Sequence, residues 1–239
     1  QDTTLSAADA LLGTAMVAGL EAGECAPVKV AGAVNVEEGS WYVGASVDSR
    51  GPPAPQGRDW RRSVYGQIGI LASADQAGAV RRLLASHAFL DPERVGVWGW
   101  SGGGAMTLNA LFRYPGLYST GIAVASPVDQ LLYNSIYQER YMGLPADNAK
   151  GYRDGSPVHF AHNLAGHLLV IHGTGDDNVH YQNAERLVDR LVESNKPFSF
   201  MAYPDRSHGI AEGAKTRLHL FTLATRFLDE HLMRAATSR

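Results

Sequence analysis

The sequence contains one cysteine, no excess of basic residues and no long hydrophobic run, and each shortage excludes a class of protein. A single cysteine, Cys25, rules out a disulfide within the chain. The net charge of −3 is not that of a nucleic-acid-binding protein. The longest early apolar stretch, "AADALLGTAMVAGLEAG", falls short of the roughly 20 residues that span a bilayer. We therefore expect a soluble protein with no nucleic-acid or membrane partner; its compartment, cytoplasm or periplasm, stays open, and we interpret Cys25 as a buried, unreactive thiol.

The chain does contain short apolar runs that alternate with helical patterns. The strand candidates are residues 41–48, 94–100, 120–126, 167–173 and 198–203, with a weaker candidate at 27–36. Their nearly continuous apolar character is typical of strands that are covered on both faces. Strands that alternate with helices predict a mainly parallel sheet with its ligand sites at the carboxyl ends of the strands. No repeat or long linker divides the 239 residues, so we expect one α/β domain over 1–239.

Helices are predicted over 73–87, 180–195 and 213–234, with a further candidate at 5–20. Ser73 and Gln76 have the spacing of a capping box, which predicts that the first helix begins at Ser73. The second carries an apolar stripe that should face the core. Its members are Ala184, Leu187, Val188, Leu191 and Val192. The apolar tail, which includes Leu220, Phe221 and Phe227, should dock on the sheet.

The segment "VWGWSGGG" places Ser101 in a G-x-S-x-G pattern between a strand candidate and a helical pattern. This pattern is typical of a nucleophile elbow, in which a sharp turn from strand to helix strains the serine backbone and exposes its hydroxyl. Glycines are expected around the serine because side chains there would clash. The pattern predicts an α/β-hydrolase fold with Ser101 as a nucleophile.

A serine hydroxyl needs a positioned base, and the base needs a carboxylate that orients it. In this fold the chain order is serine, acid, histidine. The loop after strand 167–173 supplies Asp176, with Asp177 as the competing acid, and the loop after strand 198–203 supplies His208. The spacing of Gly173, Asp176 and Val179 resembles the usual acid turn of such hydrolases, and this resemblance favours Asp176.

Other histidines raise the alternative of a metal site. His159, His162, His167 and His172 lie close together in the sequence. They form no HExxH pattern and there is no cysteine pair, so we expect neither a metal nor another cofactor. We expect His172 to brace the turn that contains the acid.

Four segments in this order resemble the prolyl oligopeptidase superfamily of serine peptidases, and within it the dipeptidyl peptidase IV branch. They are "GWSGGG", "LLYNSIYQERYMGLP", "HGTGDDNVHYQNA" and "YPDRSHGI". The resemblance implies that Ser101 is the nucleophile, Asp176 the orienting acid, His208 the general base and the Gly102 N–H an oxyanion donor. It also implies a proline pocket walled by Tyr133, Tyr137 and Val179, with Asn178 donating to a substrate carbonyl.

The sequence departs from this superfamily in three ways. Residues 1–40 contain no Tyr-x-Gly-Pro segment, so the second oxyanion donor has no candidate. Gly102 replaces a larger residue after the nucleophile and opens the pocket on one side. Relatives also carry a β-propeller domain that binds the free amine of the substrate, and we find no such domain in these residues. The resemblance therefore implies the catalytic chemistry rather than strict removal of dipeptides.

These observations favour a serine peptidase that acts by acyl transfer, with cleavage after proline. A carboxylesterase that acts on small esters is the first alternative, because esters tolerate an incomplete oxyanion hole. An inactive binding module is the second. The expected partners are small peptides or esters, and a homo-oligomer is compatible with the sequence.

Overall fold

The computed structural model describes residues 28–34, 41–47, 59, 62–88 and 90–232. The chain divides into two compact units, residues 1–63 and residues 64–239. Cys25 and the predicted helix at 5–20 lie outside the described residues. The expectation of one domain over 1–239 concerns how the units relate, and it stays a prediction.

The first unit contains an antiparallel hairpin. Strand β1 (Val28–Val34) pairs with β2 (Trp41–Val47), with Val28 opposite Val47 and Val34 opposite Trp41. Both strands were predicted. They pair with each other because a connection this short allows an antiparallel pair, whereas a parallel pair needs a crossover of about a dozen residues or more.

The second unit contains a parallel sheet of four strands. They are β3 (Gly96–Trp100), β4 (Thr120–Val124), β5 (His167–Gly173) and β6 (Ser199–Tyr203), in the order β3-β4-β5-β6. All three pairings are parallel. The carboxyl ends of the strands therefore lie at one edge of the sheet, where the segments that follow them meet.

In the described residues of this unit, six helices accompany the sheet. They are α1 (Leu71–Ser86), α2 (Gly102–Arg113), α3 (Ser135–Met142), α4 (Ala149–Gly155), α5 (Gln182–Glu193) and α6 (Thr216–Leu232). Short 3₁₀ segments cover Gln130–Leu132 and Pro157–Asn163. Within the described part of the chain, no helix combines the length and apolar content that crossing a bilayer requires.

Two hydrophobic clusters cover the two faces of the sheet. In β5, Leu168 and Val170 belong to one cluster, whereas Leu169 and Ile171 belong to the other. The first cluster contains α2 and α5 residues such as Leu108 and Leu187, and the second contains the α6 residues Leu220 and Phe227. Because helices cover both faces, the central strands β4 and β5 are buried except at His167, which explains their continuous apolar runs. The outer strands β3 and β6 are not covered throughout, and Trp98 and Phe200 are exposed, so the expectation of two covered faces is wrong for them.

The predicted start of α1 is wrong. The helix begins at Leu71, and Ser73 lies in its first turn. The Ser73 hydroxyl donates backwards to the carbonyls of Gly69, at 2.7 Å, and Ile70, at 2.9 Å, instead of capping the helix. A serine hydroxyl in a helix can make this backward bond as readily as a forward one.

Two apolar residues predicted to face the core are exposed. In α5, Ala184, Leu187 and Leu191 are buried, but Val192 is exposed. In α6, Leu220 and Phe227 pack on the sheet as predicted, whereas Phe221 is exposed. In both helices the exposed residue directly follows a buried one, so it points about 100° away from its buried neighbour.

Candidate active site

Ser101 lies at the turn between β3 and α2. Its backbone has φ 58° and ψ −121°, a region that residues other than glycine rarely occupy. Its N–H donates to the Val124 carbonyl at 2.8 Å, and its carbonyl accepts from the Ala105 N–H at 3.0 Å. The chain therefore passes from the sheet into the helix within one residue, as the predicted elbow requires.

The glycines around Ser101 are not equally constrained. A Cβ at Gly99 would lie 2.2 Å from the carbonyl oxygen of Gly103, so only glycine fits there without movement. At Gly102 and Gly103 a Cβ would meet nothing within 4 Å. The expected steric need for glycine is thus confirmed at Gly99 and wrong at the two residues after the serine.

Asp176 and His208 meet at the same edge of the sheet, in the loops after β5 and β6. Asp176 Oδ2 lies 2.8 Å from His208 Nδ1. Asp176 Oδ1 accepts the backbone N–H groups of Asn178, at 3.0 Å, and Val179, at 2.8 Å. The carboxylate has no exposed surface, so these bonds compensate for its loss of water and fix its orientation. The competing acid, Asp177, is exposed.

His172 braces this turn, as predicted. Its buried ring lies with Nε2 2.8 Å from the Val179 carbonyl and 3.2 Å from Asp176 Oδ2. Because a carbonyl only accepts, Nε2 carries the hydrogen. Burial lowers the pKa of His172, although the Val179 carbonyl and Asp176 favour the charged form. Because a neutral His172 carries no positive charge, the negative charge of Asp176 is not paired by it and remains available to interact with His208.

Trp100 connects the serine strand to the histidine loop. Its indole Nε1–H donates to the backbone carbonyl of His208 at 2.9 Å. The Arg217 guanidinium lies over the indole, 5.2 Å from the ring centroid. Sequence reasoning missed this contact, although Trp100 adjoins Ser101, because nothing in the pattern says which way the indole points.

A cavity of about 210 Å³ adjoins the serine. Ser101, Gly102, Tyr133 and Tyr137 line it together. The two tyrosine rings meet edge to face, with centroids 5.6 Å apart. Burial, followed by the neighbouring Tyr141 and Tyr133, raises the pKa of Tyr137.

Asn178 and Val179 are not among the residues that line this cavity. Asn178 is connected to it through Tyr133, whose hydroxyl donates to Asn178 Oδ1 at 3.2 Å. Val179 is fully buried, so its side chain offers no surface to a ligand in this structure. Its backbone N–H instead orients Asp176.

The cavity also contains polar residues that the sequence analysis did not identify. Asn109, Gln130 and Gln138 line it, and all three are buried. A signal existed for Asn109 alone. Gly102, Ala105, Met106 and Asn109 recur at helical spacing on the face of α2 that follows the serine.

Two of the four histidines that lie close together in the sequence contact groups other than a metal site. His167 stacks on His231 with ring centroids 4.0 Å apart, and His172 bonds to the acid turn. Over the described ranges, no group of three or more histidine, cysteine, aspartate or glutamate side chains could hold a metal ion.

The family model described as "Prolyl oligopeptidase family" matches residues 36–235. The chain is 41% identical over 189 residues to "Prolyl endopeptidase FAP" of Mus musculus, covering 78% of this chain and 24% of that protein. It is 37% identical over 189 residues to "Dipeptidyl peptidase 4" of Bos taurus, with the same coverage. The chain spans about a quarter of the length of these curated relatives.

Solved structures agree with this likeness. The crystal structure of Porphyromonas gingivalis dipeptidyl peptidase 4 superposes with a TM-score of 0.77 and 42% identity, over 80% of this chain and 27% of that chain. Together with the parallel sheet flanked by helices, this likeness confirms the predicted α/β-hydrolase fold.

Proposed function

The chain belongs to the prolyl oligopeptidase family, and we propose that it is a serine peptidase that cleaves peptide bonds on the carboxyl side of proline. The observation that carries the proposal is the 2.8 Å contact between His208 Nδ1 and the buried Asp176 carboxylate, at the sheet edge where Ser101 follows β3. A serine in an elbow, an imidazole and an orienting carboxylate are the groups that acyl transfer requires. The relatives' names, prolyl endopeptidase and dipeptidyl peptidase, support the same chemistry.

The proposed reaction begins when Ser101 Oγ attacks the scissile carbonyl and its proton passes to His208 Nε2. Asp176 accepts the Nδ1–H of His208, which keeps the Nε2 lone pair free before the attack and stabilises the imidazolium after it. His208 then gives the proton to the leaving amine, and the C–N bond breaks. Water repeats the sequence on the acyl-enzyme and releases the acid.

We assign one oxyanion donor to the backbone N–H of Gly102. Gly102 is the first residue of α2, and the first N–H groups of a helix have no acceptor within it. The positive end of the helix dipole also lies there. Both effects favour the negative oxygen that forms when the serine attacks.

We assign the substrate residue before the scissile bond to the cavity beside Ser101, with Tyr133 and Tyr137 as the wall for a flat ring. The Tyr133 hydroxyl donates to Asn178 Oδ1, so the amide oxygen of Asn178 already has a partner. The amide nitrogen of Asn178 is then the atom that donates to a substrate carbonyl. The buried Val179 acts indirectly, because its backbone N–H donates to Asp176 Oδ1 and fixes the orientation of that carboxylate.

The proposal is tested with the 239-residue chain and two assays. A fluorophosphonate probe should label Ser101, and an aminoacyl-proline p-nitroanilide should be hydrolysed. The Ser101→Ala variant should take no label and hydrolyse no anilide. Hydrolysis of a short-chain p-nitrophenyl ester without any anilide cleavage would favour the carboxylesterase instead. Folded protein that takes no label would indicate an inactive binding module.

A further inference from the structure

The cavity beside Ser101 is lined by three buried side-chain amides. Asn109 is 1% exposed, Gln138 4% and Gln130 6%, and all three line it. Buried amide groups normally have every hydrogen-bonding atom matched, because an unmatched one loses its bonds to water without replacement.

Asn109 uses both ends of its amide. Its Nδ2 donates to the carbonyls of Ala105, at 3.0 Å, and Gly155, at 3.4 Å, while its Oδ1 accepts from Arg113 Nε at 2.7 Å. The Gln138 amide nitrogen donates to the backbone carbonyl of Gln130 at 3.4 Å. These bonds tie both residues to their surroundings.

Gln130 differs, because the oxygen of its amide is buried without a partner. Its Nε2 donates to the Ile68 carbonyl at 2.9 Å. Its Oε1 is buried and accepts no hydrogen bond from any residue that the structure describes. Since Oε1 is covered, bulk water does not compensate it, and a donor that a ligand brings into the cavity would match it.

The orientation of this amide is fixed by its neighbours. Reversing it would bring Oε1 against the Ile68 carbonyl oxygen, where two acceptors would face each other. The nitrogen also packs closely on the chain, since a Cβ added at Gly155 would lie 2.3 Å from Nε2. The unmatched atom of Gln130 is therefore an acceptor.

We propose that Gln130 determines specificity, by accepting a hydrogen bond from a hydroxyl or N–H on the side chain of the substrate residue whose carbonyl Ser101 attacks. The inference rests on the proposed function, because Ser101 and Gln130 line one cavity and the acyl residue of the substrate must lie beside Ser101. A ring or side chain that carries a donor satisfies Oε1, whereas a purely apolar one leaves it unmatched. Among substrates of equal shape, those with a donor are preferred.

The test compares matched p-nitroanilides that differ in one donor. The pairs are both epimers of 4-hydroxyproline against proline, and threonine against valine, each preceded by the same residue. For the unaltered chain, kcat/KM should favour the donor-bearing member by about 5- to 30-fold in at least one pair, the range expected when a buried acceptor gains a partner. In Gln130→Met, which keeps the length but lacks the acceptor, the ratio should fall to about 1.

Gln138→Met is the matched control, since it removes an amide from the same cavity but leaves Gln130 Oε1 in place; the donor preference should persist in it. Fluorophosphonate labelling shows that each variant is folded. A ratio near 1 in the unaltered chain, or an unchanged preference in Gln130→Met, would overturn the inference.

If no anilide is cleaved, the preference is read from calorimetric dissociation constants of the matched product dipeptides, with the same two variants. A preference for the donor that Gln130→Met removes would then support the role of Gln130 in binding while the proposed peptidase activity fails. Equal dissociation constants would overturn both.

Discussion

Replacing Asp176 by asparagine should nearly abolish turnover while leaving the fold intact. The backbone N–H groups of Asn178 and Val179 donate to Asp176 Oδ1, so the asparagine must keep its oxygen on that side. Its NH₂ group then faces His208 Nδ1, where Asp176 presents an acceptor. His208 Nδ1 must become the acceptor, which moves the ring hydrogen to Nε2 and removes the lone pair that takes the serine proton in the proposed mechanism.

The size of the effect follows from this change of tautomer. The same substitution in an established Ser-His-Asp site lowers kcat by about 10⁴ with the geometry intact, which is about 5.5 kcal/mol of transition-state stabilisation. We expect a similar loss here. The free energy of unfolding should fall by only about 1–3 kcal/mol, because the new NH₂ group also faces the Nε2–H of His172 and leaves that donor poorly matched.

The assay is kcat and kcat/KM on an aminoacyl-proline p-nitroanilide for the unaltered chain, Asp176→Asn and Asp177→Asn, with chemical denaturation for stability. Asp177 is exposed, so its asparagine variant should keep activity within a few-fold. Asp176→Asn with more than a tenth of the original kcat would refute the reasoning. An equal loss in both variants would refute it as well.

Three further predictions follow from single contacts. Trp100→Phe removes the bond to the His208 carbonyl and should lower kcat by about 3- to 10-fold with little change in KM; a change confined to KM would contradict this. Gly99→Ala places a Cβ against the Gly103 carbonyl and should cost about 1–3 kcal/mol in denaturation, whereas Gly103→Ala, which meets nothing, should not. Burial lowers the pKa of His172, so the unfolded chain binds its proton more readily and stability should fall as pH drops below about 6.5. Denaturant unfolding at pH 7.5 and 5.5 should show that the free energy of unfolding falls less between these pH values in His172→Gln than in the unaltered chain. An equal fall in both would show that His172 does not cause the loss of stability.

The strands could be predicted because their pattern has a local cause. All five residues of β4 are buried, since helices cover both faces, and such burial produces a continuous apolar run in the sequence. The start of α1 could not be predicted from Ser73. Just before the helix lies Gly69, whose φ is 85° and whose added Cβ would lie 2.7 Å from the Gly155 carbonyl oxygen. That contact joins segments 86 residues apart, so no local pattern contains it.

The same distinction divides the candidate site. Ser101, Asp176 and His208 each lie in a loop directly after a strand, so the parallel topology alone brings their segments to one edge. Gln130 was missed because its position in the cavity depends on the Ile68 carbonyl, 62 residues earlier in the chain. Val179 was expected as a pocket wall, yet it is buried behind the acid turn, because its backbone is needed to orient Asp176.

The backbone of Ser101 connects the fold to the proposed chemistry. A non-glycine residue in a sparsely populated region costs about 1–3 kcal/mol and persists only where the surrounding structure enforces it. Here β4 enforces it through the Val124 carbonyl, and α2 enforces it through the Ala105 N–H. Neither bond involves a substrate, so the serine is oriented before anything binds. The free energy that orients the nucleophile therefore comes from folding, and substrate binding is left to act on the transition state.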